Sequence, residues 1–144
     1  MTTTTPHGSY RHEAFLYRDE QEFFDGIVPF VRDGVAAGQP VMVALRGSKL
    51  PPLRDALGPD AADVLFVDME QLGHNPARII PGWRRFLDTH CRDRQPVRGV
   101  GEPVWRGRRP TEIAEAQLHE ALLNVAVDPD TPMWLRCPYI SPAP

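Results

Sequence analysis

The residue types that do chemistry concentrate in one stretch, 98–124, which reads RGVGEPVWRGRRPTEIAEAQLHEALLN. Glu115 and His119 stand four apart, so on a helix both side chains reach one patch, and Glu112 extends the stripe. A carboxylate so placed orients an imidazole or raises its pKa, which makes this pair the one acid–base candidate in the chain. His119-Glu120 also begins a zincin-like pattern, but position 123 is Leu and His-Glu-x-x-His fails. The helix has an apolar face through Ala114, Leu118, Ala121, Leu122 and Val125, and a histidine beside such a face is more often a hydrogen-bonded structural residue than a ligand. Cys137 reads as a thiolate ligand, a redox thiol or, the commoner case, a buried free thiol, and nothing in sequence sets its pKa. His119 and Cys137 are the candidate metal ligands. Cys91 has no evident partner. Gly47-Ser48-Lys49 precedes a helix without the spacing that cradles a triphosphate, and no Walker A or Gly-x-Gly-x-x-Gly motif is present.

These residues need elements to hold them. Short apolar runs at 12–17, 41–45, 64–67, 97–100 and 133–137 read as strands. Helical spacing covers 19–37, opened by Asp19 and closed by Gly38, then 50–57, 76–92 and 111–127. Pro29 and Pro81 fall inside two of these helices and are expected to kink or break them. The alternation predicts a single α/β domain, a mainly parallel five-stranded sheet with helices on both faces in three layers. Strand order is not readable from the sequence. Residues 1–9, with four consecutive threonines, read as a disordered arm, 10–139 as the domain and 140–144 as a tail or linker.

In such sheets the ligand crevice lies beyond the carboxyl ends of the strands. On this reading the ends bring together Tyr17, Arg46-Gly47-Ser48, Asp68, Gly101-Glu102-Pro103 and Cys137-Pro138-Tyr139. Trp105, followed by Arg106, Arg108 and Arg109, suits a lid or a partner contact, or folds back with its arginines solvated. His12, at the start of the first strand, lies about 15 Å from that crevice at roughly 3.3 Å per residue.

Composition sets limits on function. The chain has 144 residues, 42% hydrophobic and 24% charged, with a net charge of −3. That balance gives no electrostatic reason to expect nucleic acid. No apolar run is long enough for a bilayer, and no signal peptide is evident. Two cysteines make no disulfide framework, so a reducing cytoplasm is the expected location.

Five ordered blocks carry a family resemblance: His12-Glu13-Ala14 with Tyr17, then Asn75-Pro76-Ala77-Arg78-Ile79-Ile80-Pro81 with Trp83, then Gly101-Glu102-Pro103-Val104-Trp105, then His119-Glu120-Ala121-Leu122-Leu123-Asn124, and last Cys137-Pro138-Tyr139. Together they resemble the MEDS domain, a methanogen/methylotroph sensory domain first associated with a dichloromethane-responsive regulator. The resemblance implies a RecA-like scaffold without a working phosphate loop, and a non-catalytic sensory module of bacterial signal transduction. It implies a small organic ligand and, in the similar actinobacterial branch, a histidine-kinase-like ATP-binding domain in proteins named as anti-sigma-factor regulators. His12, His119 and Cys137 match family histidine and cysteine positions and carry over as candidate sensing residues. Many members have Cys and Arg where this chain has Ala116 and Leu118, so a site needing that thiol is missing here. With no ATP-binding domain after Pro144, the expectation is a cut-out domain or a single-domain relative.

The first expectation is therefore a sensor that binds a small organic molecule at the strand ends, directly or through a metal. Tyr17, Glu102, Trp105, His119, Cys137 and Tyr139 form its site, and His12 is a further sensing residue. No catalytic residue and no particular cofactor is assigned. The alternative is an interaction module without a small ligand, meeting a sigma or anti-sigma protein through Trp105 and its arginines. A flat, exposed Trp105 would favour the alternative.

Overall fold

A computed structural model describes residues 9–105 and 107–141. Nearly all of the expected arm, part of the expected tail and Arg106 lie outside the described residues. The strands are β1 (Arg11–Tyr17), β2 (Val41–Leu45), β3 (Val64–Asp68), β4 (Val97–Gly101) and β5 (Met133–Ile140). The helices are α1 (Glu20–Ala36), α2 (Leu50–Leu57), the single turn α3 (Met69–Leu72), α4 (Ile79–His90) and α5 (Pro110–Ala126). All strands are parallel, in the order β1-β5-β4-β2-β3.

The expected three-layer α/β architecture is present. One core packs α1 and α2 on the sheet through Phe23, Ile27, Val43, Leu45, Leu53 and Val100. The other packs α4 and α5 on the opposite face through Met42, Trp83, Phe86, Leu123, Leu135 and Cys137. The even alternation of these residues along β2, β4 and β5 is the two-residue period of a strand covered on both sides. Gly99 is required by the second core: a Cβ there would lie 2.5 Å from Cζ3 of Trp83.

Several boundaries differ from the sequence reading. β5 does not end at Cys137 but continues through Pro138 to Ile140, paired throughout with β1. Just past the strand, Ser141 N–H donates to Tyr17 O at 2.7 Å. α1 runs through Pro29 unbroken. Proline there removes only the N–H that would serve Asp25, and both residues are exposed, so water replaces the donor. Pro81 is the third residue of α4, where the N–H has no helical acceptor anyway. The Asp19 carboxylate caps α1 by accepting from Glu22 N–H at 2.9 Å.

Helix α5 is held more loosely than its length suggests. Only Ala116 and Leu123 are buried on it, while Leu118, Leu122 and Val125 are exposed on its outer side. Among the described residues no helix is long and apolar enough to cross a membrane.

Candidate functional site

The residues expected to form one site are divided between two places. Tyr17, Glu102 and Trp105 meet at the carboxyl ends of the strands. Cys137, Tyr139 and His12 meet on the other face of the sheet, along its β1 edge.

The first place is where β2 and β4 lie side by side while their following helices go to opposite faces, α2 to one and α5 to the other. That is the switch point at which open parallel sheets leave a crevice. Glu102 is 1% exposed there. Its backbone N–H continues the ladder by donating to Ala44 O at 2.9 Å. Its side chain accepts from Arg46 N–H at 3.1 Å, from Tyr17 Oη at 3.4 Å and, very closely, from Lys49 Nζ. Lys49 Nζ also donates to Tyr17 Oη at 2.7 Å and lies 4.8 Å from the centre of the Phe23 ring. The Gly-Ser-Lys turn is thus built to neutralise a buried carboxylate, and its lysine is engaged with that partner.

Above this cluster is a chamber of about 360 Å³, walled by Tyr17, Phe23, Phe24, Trp105, Pro52 and Ile140, with Lys49, Arg46, Ser48, Asp19 and Glu20 on its polar side. Trp105 is half-buried and folded back. Arg108 stacks 4.3 Å from its ring centre and, far from being solvated, is buried, donating to Pro103 O at 2.8 Å and to Gly73 O. Burial pulls the Arg108 pKa down, with Glu112 acting against it. Only Arg109 of the described pair is exposed.

The second place is an open groove of about 400 Å³ between β1 and α5. His12 pairs with Leu135 in the strand register and Ala14 with Cys137, so Cys137 lies inside β5, beside the first strand. This placement resolves the 15 Å separation of His12 from the crevice: the site it joins is at the side of the sheet. His12 Nδ1 donates to Asn124 Oδ1 at 2.7 Å. His12 Nε2 is 2.8 Å from Glu120 Oε1 and 3.3 Å from Cys137 Sγ. The His12 and Glu120 side chains are each 12% exposed.

Burial lowers the His12 pKa, but the hydrogen bonds to Glu120 and Asn124 outweigh it and leave the pKa raised. Burial first, then Glu120, push the Cys137 thiol well up. The same order of causes, burial followed by Glu120 and Cys137, raises the Tyr139 phenol.

The structure brings His12, and not His119, to Cys137. His119 is not among the side chains lining the groove, and its buried Nδ1 has no hydrogen-bond partner among the described residues. Glu115, its expected partner, is exposed. Sequence reasoning noted Glu120, Asn124 and Lys49 in motifs but assigned none of them to the site. A signal for Glu120 was available: it stands four residues after Ala116 and three before Leu123, on the side of α5 that faces the core.

A parallel three-layer α/β fold with a crevice at its switch point is a general ligand-binding architecture. Against the sequence profiles of known families the chain matches MEDS, the MEthanogen/methylotroph, DcmR Sensory domain, over residues 11–142, and it belongs to that family of sensory domains. No curated protein and no solved structure matches it.

Proposed function

We propose that this domain is a non-catalytic sensor that takes a small organic molecule into the chamber over Tyr17 and Trp105. The observation that carries this reading is the combination of about 360 Å³ of space, with aromatic side chains on its apolar side, and a neutralised Lys49–Glu102 pair at its floor. Apolar walls with a few fixed polar groups suit a small, weakly polar ligand. Glu102 accepts from three donors and Lys49 is bound to it, so neither serves as a free base or nucleophile. Trp105 belongs to the loop between β4 and α5, which makes that segment the route from ligand to output. The output partner is a histidine-kinase-like ATP-binding domain or a sigma or anti-sigma protein, in a cytoplasmic signalling chain.

The test is a thermal-shift screen with halomethanes, short alcohols and small aromatics, followed by tryptophan fluorescence. A ligand at 100 times its Kd adds about 2.7 kcal/mol to stability. At roughly 3 °C per kcal/mol for a chain of this size, Tm rises by about 8 °C. Trp105→Ala should remove the shift. No response from any class, or a response that survives Trp105→Ala, would defeat the assignment. The exposed Leu118, Leu122 and Val125 favour the second reading, an interaction module without a ligand, and that reading predicts no response in the screen.

A further inference from the structure

We infer that His12, Glu120 and Cys137 form a zinc-type metal site with one coordination position open to the groove. A nitrogen, a carboxylate oxygen and a sulfur converge there from β1, α5 and β5, all within 4.8 Å of one another. Without a metal the proton on Nε2 is held by Glu120, and a cation taking that proton's place would meet all three donor atoms. The imidazole is preset for it. Asn124 Oδ1 accepts a hydrogen bond from Nδ1–H, so Nε2 is the nitrogen aimed at the other two atoms. In a tetrahedral site with about 2.0 Å to nitrogen or oxygen and about 2.3 Å to sulfur, the N···S edge is roughly 3.5 Å and the N···O edge roughly 3.3 Å. The observed separations are 3.3 and 2.8 Å, so Cys137 is nearly in place and Glu120 has to withdraw by about half an ångström. The groove leaves room for that movement.

The donor set selects the metal. A thiolate with imidazole and a carboxylate suits zinc and disfavours magnesium or calcium. Three protein ligands leave a fourth position for water or an incoming group, in the groove that Gln117 and Tyr139 also line. Tyr10 adds an independent sign. Its ring lies 6.0 Å from that of His12, and its buried Oη has no hydrogen-bond partner among the described residues. That phenol is an unused polar atom beside the cluster. The chamber over Trp105 is at the strand ends and shares no lining residue with this groove, so the two assignments stand or fall separately.

The test is titration of the metal-free chain with Co²⁺ and then Zn²⁺, with far-ultraviolet circular dichroism on every variant. The wild type should bind one equivalent of Co²⁺ with tetrahedral visible bands and a near-ultraviolet thiolate-to-cobalt band, and Zn²⁺ should displace it. Cys91→Ala should keep that band, because Cys91 is remote and bonds Gln95 O. Cys137→Ser should abolish it, and His12→Ala and Glu120→Gln should each weaken binding at least tenfold. Asn124→Ala, which frees the imidazole, should weaken binding roughly 10–100-fold, and His119→Leu should leave it unchanged. Wild-type protein that takes up no Co²⁺, binds it without the thiolate band, or loses the band in Cys91→Ala would overturn the site, whether or not Cys137→Ser folds.

Discussion

Replacing Lys49 by Met asks how much the buried Glu102 depends on its cation. Glu102 is 1% exposed and keeps only Arg46 N–H and Tyr17 Oη once the ammonium is gone. Removing one partner of a buried pair costs about 3–5 kcal/mol, because the other charge stays buried without compensation. The Lys49 side chain is 27% exposed, so water partly replaces it and the lower end of that range applies. A loss of about 3 kcal/mol corresponds to a fall in Tm of about 9 °C for a chain of this size. Adding Glu102→Gln to Lys49→Met should recover most of it, since the amide carries no charge and still accepts from Arg46 N–H. The assay is urea unfolding of the four members of the double-mutant cycle, followed by circular dichroism. If Lys49→Met costs less than about 1 kcal/mol, or the double variant is no better than the single one, the pair does not work as described.

Three further outcomes can be measured in the same way. Gly99→Val drives a side chain into Trp83 and Leu135, and overpacking of this kind should cost about 1–3 kcal/mol in thermal unfolding. His119→Leu removes a buried nitrogen that has no partner among the described residues and should raise Tm by a few degrees; a clear fall would mean the ring is held in a way the structure does not show. Glu13 is buried enough to raise its pKa, but hydrogen bonds from Arg136 and Trp134 outweigh this and hold it below its ordinary value of 4.5. Its stabilisation is therefore present above pH 4.5 and lost as pH falls through the lower, folded-state value. Glu13→Gln should cost about 1–2 kcal/mol at neutral pH and flatten the stability profile below that point.

The alternation of elements was legible because both faces of the sheet are covered, which leaves each strand as a short apolar run between helical periods. β5 was cut short at Cys137 because proline reads as a terminator, although Met133, Leu135, Cys137 and Tyr139 keep the strand period across it. The site was harder to read, since its contacts are long-range. Lys49 is 53 residues from Glu102, and His12 is 125 from Cys137. Each residue is ordinary alone, and only the strand order makes them neighbours. Once β1 lies against β5, His12 faces α5, and the relevant acid becomes Glu120. His119 drew attention as a histidine on a helix, yet it points about 100° away from Glu120 around the axis.

The seam between β1 and β5 also has a mechanical meaning. It joins the first strand to the last in seven parallel register pairs, extended by a contact from Tyr10 to Pro129 at one end and from Ser141 to Tyr17 at the other. Chain enters this seam at one end and leaves it at the other, roughly 23 Å away along the strands. Tension applied between residues 10 and 141 therefore slides the two strands lengthwise past each other. In that direction the ladder's hydrogen bonds share the load, whereas peeling would break them one after another. The domain should resist stretching along its own chain as a stiff link, while a force that lifts β1 sideways from the edge would open it easily.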